Sequence, residues 1–354
     1  MKEDIRKILE SAILAPSGEN CQPWKFIVNE TAIKLYNVPE KDMSIYNFKQ
    51  SGSFLANGAV IENIMIAASA LGYNADVNLF PDKGNENFVA EIKFSKTSPQ
   101  KEELYQYIPL RVTNRKPYKD IPLTLQQMEE IRAVASELNY GKVYLIEDKA
   151  SREILGQAVS SNEKVMLNNK YLHQFFFDHI SWNKKEDDEK KEGFFIDTLE
   201  LPPPIKAIFR AFKNWSFMSL LNKLGFYKMI AKQNANAYSS APVMGILIAE
   251  GNTSKDYVMT GRVVQRIWLK ITKQGLYLHP LAGQLYIWLT ITAGETEHFS
   301  NEQIETIKTA YSNIEKVFDV KGKNIAFMFR IGQADAPTAK SSRFTVDEVT
   351  EVTN

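Results

Sequence analysis

Apolar positions along the chain change period several times, and each change marks an element. Ile5, Ile8, Leu9, Ala12 and Ile13 recur at helical spacing and predict an amphipathic first helix, ended by Pro16 and Gly18. Lys25-Phe26-Ile27-Val28 and Ala32-Ile33-Lys34-Leu35-Tyr36 then read as short strands around Asn29-Glu30-Thr31, a hairpin. Residues 54–71 form the most apolar segment. It carries Asn57, Glu62 and Asn63, so a buried core helix is expected rather than a membrane span. Strands are expected near 76–80 and 88–94. After residue 108 the order restarts, with a helix over 125–138, a strand over 141–147, an apolar strand over 243–249, a helix over 257–272 and a last strand over 325–331.

The restart has a register. Laying residue 54 on residue 257 (257 − 54 = 203) pairs Gly58 with Gly261, Val60 with Val263, Ile64 with Ile267 and Gly72 with Gly275. Laying the strand at Lys25 on that at Lys142 needs an offset of 142 − 25 = 117, so the second copy is longer by 203 − 117 = 86 residues. The pattern is that of a duplication, residues 1–108 and 109–354, with an insertion at about 150–237 in the second copy; two apolar helices with matched glycines are the competing explanation. The insertion holds Phe175-Phe176-Phe177, a charge run over 184–192 and Pro202-Pro203-Pro204. From Ile205 to Ala249 it has no acidic residue, and six cations there alternate with aromatics.

Composition changes this picture little. An apolar fraction of 44% and a charged fraction of 24% are ordinary for a globular chain of 354 residues, and a net charge of +1 gives no field for nucleic acid. The single cysteine, Cys21, excludes an internal disulfide and a cysteine-ligated cluster. It fits a reducing compartment. Met1 to Arg6 shows no apolar signal-peptide core, so the cytoplasm is the expected location. His173, His179, His279 and His298 lack metal-ligand spacing, and no metal site is expected. No G-x-G-x-x-G follows a strand, which leaves a Rossmann fold without its fingerprint.

Three segments carry candidate chemistry. The first, Pro16-Ser17-Gly18-Glu19-Asn20-Cys21-Gln22-Pro23-Trp24, joins helix breakers to two amides that donate and accept, a set suited to the edge of a flat heterocycle. An ordinary helix–strand loop has the same composition. The second, Arg111-Val112-Thr113-Asn114-Arg115, places two guanidiniums around a hydroxyl on a segment kept extended by Pro117, a set able to hold a phosphate. The third is the tail from Gly332, with Lys340 and Arg343 as further cations.

Together these segments resemble the FMN-dependent nitroreductase family. Pro16, Ser17, Asn20, Gln22, Pro23 and Trp24 match its P-S-x-x-N-x-Q-P-W loop, and residues 111–115 are similar to its R-x-S-x-R. Residues 62–72 look like its E-N-x-x-L-A-A-x-A-L-G helix, and Gly332 through Arg343 look like its terminal segment. The resemblance implies an α+β nitroreductase-like fold, each half a mixed, mostly antiparallel sheet flanked by helices. In ordinary members the arginine motif and basic tail of one subunit hold the flavin phosphate, while the loop of the partner meets the same flavin. Here the loop lies in the first half, and the arginine motif and tail lie in the second. The resemblance is therefore to the tandem, Acg-like branch: a pseudo-dimer with one composite site, as monomer or homodimer.

On that resemblance Arg111, Thr113, Arg115, Lys340 and Arg343 would hold the phosphate and ribityl end, and Pro16, Ser17, Gly18, Asn20 and Gln22 would approach from the other half. Pro280, Leu281, Ala282 and Gly283 correspond to the stretch where a backbone N–H commonly faces flavin N5. No catalytic side chain is named, because the flavin carries the hydride. Two functions stay open. One is NAD(P)H-dependent reduction of a small electron acceptor, a quinone or nitroaromatic; the other is a flavin-sequestering or regulatory protein closed by the insertion as a lid. Residues 205–232 have the pattern of such a lid; a helix lying on an anionic membrane surface is a third, weaker reading of the same cationic, aromatic-rich segment.

Overall fold

A computed structural model describes residues 3–100 and 102–353; Met1 and Lys2, part of the N-terminal segment read above, lie outside them. The first half runs α1 (Glu3–Ala12), β1 (Trp24–Val28), β2 (Ala32–Asn37), α2 (Ser51–Ala70), β3 (Tyr73–Leu79) and β4 (Phe88–Lys96). The second opens with α3 (Leu125–Glu137), β5 (Lys142–Ile146) and α4 (Lys149–Leu167). It continues with α5 (Lys170–Asp178), β6 (Ile180–Ser181), α6 (Lys184–Lys190), β7 (Phe194–Phe195), α7 (Pro203–Phe209), α8 (Trp215–Lys223) and α9 (Phe226–Ser239). It closes with β8 (Val243–Ile248), α10 (Ser254–Lys273), β9 (Tyr277–Pro280), α11 (Gly283–Thr292), α12 (Asn301–Phe318), β10 (Ile325–Gly332), α13 (Val346–Val349) and β11 (Thr350–Val352).

The architecture is α+β, with a sheet in each half flanked by helices. The first sheet has strand order β11-β1-β2-β4-β3, the second β5-β8-β10-β9. Within these two sheets pairing is antiparallel except for β11, which joins β1 in parallel register, Phe26 opposite Thr350; β6 and β7 form a separate short parallel pair. The end of the chain is thus a strand of the first half, so the expected second half, 109–354, returns to the first at its C-terminus. Arg6 fixes that return by a bidentate pair to Asp347, at 2.8 and 2.9 Å.

Helix α2 is apolar on all sides because it is covered on all sides: 16 of its 20 residues are buried. It packs against α10 with the backbones nearly touching. A Cβ on Gly58 would come within 2.0 Å of the Val258 carbonyl oxygen, and one on Gly261 within 1.9 Å of that of Leu55. Glycine at both positions is what lets the axes meet. Beside the crossing, Glu62 is fully buried and accepts from Arg262 at 3.0 Å and Arg266 at 2.5 Å, while Gln265 donates to Asn63 at 2.7 Å. The paired positions Gly58 and Gly261 of the repeat are therefore neighbours across the seam.

Two expectations are corrected. The insertion expected at 150–237 begins and ends in core helices. Leu155, Ala158 and Val159 of α4 pack on Met244 and Ile246 of the second sheet, and α9 places Ala235 so close that a Cβ on Gly156 would meet its carbonyl at 2.6 Å. An amphipathic helix has the same periodicity whether it covers its own sheet or belongs to an insert, so the boundary is hidden in sequence. Between these core helices, α5 to α8 build a separate cluster from Phe177, Phe195, Phe212 and Met218 on Ile287 and Ile291 of α11. The apolar core helix also begins earlier than residue 54, at Ser51. The Asn47 carboxamide oxygen accepts from Ser53 N–H at 3.0 Å and buries the polar first turn.

Substituting Gly261→Ala should lower the free energy of unfolding by about 2–3 kcal/mol, the cost of forcing a methyl into a filled contact. Urea unfolding monitored by circular dichroism measures it, and an unchanged midpoint would contradict the packing described.

Candidate functional site

Pro16 stops α1, and the chain then turns tightly. Glu19, Asn20 and Gln22 take φ of 43°, 59° and 51°, three non-glycine residues in the left-handed region within four positions. Hydrogen bonds from distant segments hold this conformation. Ser17 Oγ accepts from Gln22 N–H at 3.0 Å. The Asn20 amide donates to the carbonyls of Lys191 and Ser342, both at 2.9 Å. The Gln22 amide donates to Lys191 O at 2.7 Å, and its oxygen accepts from Phe344 N–H at 3.0 Å. The loop of the first half is thereby tied to the C-terminal tail and to the insertion. Asn20 and Gln22, read as heterocycle contacts, spend their amides on these ties, while Gly18 stays exposed at the turn.

Around the end of α1 three cations gather. Arg111 donates to Leu14 O at 3.0 Å, Arg343 to Ala15 O at 2.6 Å, and Lys340 to Pro109 O at 3.0 Å. The Arg111 guanidinium lies 4.6 Å from the centre of the Trp268 ring. Its Nε is buried without a hydrogen-bond partner. Among the described residues no carboxylate pairs with any of the three. Burial and then the charge of Arg343 push Arg111 down to about 9; burial pushes Arg343 down to about 10. Lys340 is lowered by burial and by Arg111. Arg111 is buried, Arg343 half-buried and Lys340 exposed at the edge, so the three present positive charge without an acid to offset it.

Arg115 stands apart from this cluster. It donates to Thr198 O at 3.1 Å with its guanidinium 5.7 Å from the Phe194 ring centre, both on the insertion. The two arginines do not converge as expected, because positions four apart on extended backbone are about 13 Å apart. Arg343 takes the place beside Arg111 instead. Between them Thr113 bridges Leu278, which holds the segment along β9.

A group not foreseen lies behind Arg115. Arg330, fully buried on β10, donates to His279 Nδ1 at 3.1 Å, to Lys116 O at 3.0 Å, and to Ala237 O. It sits 4.3 Å from the Tyr118 ring centre. Burial, then the cations Arg330 and Arg115, hold His279 well below its ordinary value, so the imidazole is neutral and accepts. The sequence signal was available: a lone cation inside the apolar strand Ile325–Gly332.

Pro280 ends β9, Leu281 N–H bonds Met328 O at 2.8 Å, and Gly283 opens α11. A Cβ on Gly283 would lie 3.0 Å from the Asn162 amide. Beside it, Asn162 Oδ1 and Glu163 Oε2 are buried without partners, although Glu163 accepts from Tyr238 OH at 2.8 Å. Burial raises Glu163; burial and nearby Asp42 raise Glu19 to about 8. Burial, then the charges of Glu19 and Glu163, oppose ionisation of Tyr46. A cavity of about 370 Å³ opens elsewhere, beside Asp120, Arg152 and Ser239.

No protein-family model matches the chain. Among curated proteins it is similar to the uncharacterized MT1398 of Mycobacterium tuberculosis, 21% identical over 279 residues, 78% of this chain and 38% of that one. It is 32% identical over 125 residues to "Putative NAD(P)H nitroreductase Rv3131" of the same species, 34% of this chain and 36% of that one. It is 21% identical over 316 residues to "Probable NAD(P)H nitroreductase PigM" of Serratia sp., covering 79% and 80%. The chain spans little more than a third of the length of the first two of these relatives. Among solved structures it is similar to the FMN-dependent nitroreductase NfnB from Mycobacterium smegmatis, in complex with NADPH, at 15% identity and TM-score 0.39 over 71% of this chain and 99% of that one. A nitroreductase-like family protein from Bacillus cereus gives 11%, 0.38, 73% and 99%. The chain is thus an α+β protein similar, over part of its length, to proteins named as NAD(P)H nitroreductases.

Glu19 supplies a pH test. Folded, it keeps its proton to about pH 8; unfolded, only to the ordinary 4.5. Between these values the folded state binds more proton, so its contribution to stability is present at low pH and is lost as pH rises. The unfolding midpoint should fall between pH 5 and 8, and Glu19→Gln should flatten that fall. Parallel slopes for the two proteins would contradict the buried acid.

Proposed function

We propose that the chain holds one FMN between its halves and works as an NAD(P)H-dependent oxidoreductase on a small electron acceptor, a quinone or nitroaromatic. The observation that carries this reading is the acid-free cluster of Arg111, Lys340 and Arg343, with the Arg111 Nε buried and unpaired. A phosphate dianion supplies the charge and acceptors that cluster lacks. The relatives named as NAD(P)H nitroreductases support the same reading. When bound, FMN supplies hydride acceptance and donation. The chain's own residues would do the rest. Arg111, Lys340 and Arg343 would hold the phosphate, Thr113 and Ser17 would lie toward the ribityl chain, and the backbone at Ala282 and Gly283 would offer N–H donors to the ring. Arg115 would add positive charge, the kind that stabilises a reduced, anionic ring.

A second reading, a flavin-holding protein with little turnover, is favoured by one observation. The insertion reaches over the site, with Lys191 O on Asn20 and Gln22, and Thr198 O on Arg115. Anaerobic titration of the FMN-loaded protein separates the two. NAD(P)H should bleach the oxidised-flavin band, and a quinone should restore it. A bound flavin that stays oxidised under excess NAD(P)H overturns the enzyme reading and leaves the sequestering one. Arg111→Ala and Arg343→Ala should each weaken FMN binding on the order of 10- to 100-fold, as expected for bonds to a charged group. Unaltered affinity in both would remove the phosphate assignment.

A further inference from the structure

The outer side of the insertion carries a surface that the flavin reading does not use. Of the twelve large apolar side chains most exposed among the described residues, five fall within residues 208–229: Ile208, Phe217, Leu220, Leu224 and Met229. Leu224, at 82%, is the most exposed of all twelve. Phe217, Leu220 and Leu224 follow helical spacing on and just beyond α8, so they share one face, while Met218 and Asn222 turn inward. Scattered single apolar side chains are ordinary on a surface; a contiguous set is a docking face.

The segment that carries that face has charge of one sign in its own sequence. No Asp or Glu occurs from Ile205 to Ala249. Lys206 and Lys213 are paired with Asp197 and Asp178, and Arg210 lies over Trp182. Lys223, Lys228 and Lys232 have no acidic partner among the described residues, and Lys228 with Lys232 stand one helical turn apart on α9. Exposed leucine and phenylalanine beside unpaired lysine is the chemistry that buries in the acyl boundary of a bilayer while meeting anionic headgroups. A second copy of the chain would bring the same cations against themselves, and a nucleic acid would leave the leucines in water.

We propose that the exposed face of α8 and of the neighbouring core helix α9 docks on an anionic lipid bilayer. Elsewhere the same insertion reaches the candidate site, where the Lys191 and Thr198 carbonyls accept from Asn20 and Arg115. The proposal stands apart from the flavin reading and survives its failure.

Co-sedimentation tests it, using the full chain with vesicles of phosphatidylcholine alone and of phosphatidylcholine mixed with phosphatidylglycerol. Binding is expected to the mixed vesicles and to fall with salt. The double substitution Leu220→Glu with Leu224→Glu should reduce it by at least ~10-fold, with thermal unfolding unchanged because both side chains are exposed. Lys223→Gln and Lys228→Gln should each lower it roughly fivefold. Equal binding to neutral vesicles, no binding to either, or binding unaltered in the double variant would overturn the proposal. So would a concentration-dependent dimer that the double variant abolishes in a protein that ignores vesicles, since the face then belongs to self-association.

Discussion

The contact between Gly58 and Gly261 sets the distance between the halves, and the remainder of the site follows from that distance. With any side chain at either position the helices would separate, because the nearest atoms are backbone and cannot turn aside. Close approach also decides the polar chemistry of the seam. Glu62 is removed from water entirely and is tolerable there only because Arg262 and Arg266 both reach it. A buried acid between two cations adds directionality to a contact that apolar packing alone would leave free to slide.

Given that seam, the two ends of the second half meet the beginning of the first. The 14–22 segment receives Arg111 from the start of the second half and Arg343 from its tail, while Asn20 and Gln22 return bonds to Ser342 and Phe344. The tail then continues into β11 and completes the first sheet. The strand that completes the first sheet and the arginine that completes the cation cluster are therefore carried by the same tail. The left-handed turn over Glu19, Asn20 and Gln22 is strain of the kind that persists only where surroundings over-determine it. Here those surroundings are the tail and the insertion.

Much of this was legible in the sequence, for identifiable reasons. An all-round apolar segment of helical length has one stable place, the core, so α2 and its glycine register could be read directly. The loop over 16–24 and the arginine segment over 111–115 were legible through their likeness to a family pattern. What was hidden depended on where elements go. Helix α4 has the amphipathic period of an insert or of a core cover, and only the sheet beneath it decides. Strand β11 is three residues with two exposed, too short to carry a period. The separation of Arg111 from Arg115 follows from an extended backbone whose partner strand could not be assigned, and Arg330 was passed over although a cation inside an apolar strand is a signal in itself.

The central claim is one anion-anchored site per chain, built across the seam from both halves. Calorimetric titration of FMN into flavin-free protein, with the mass of the species in solution fixed by light scattering, tests it most directly. One FMN bound per chain, in the monomer, is the result the account predicts. Two per chain, or one per two chains, would show that each half or each pair of chains makes its own site, and would contradict it.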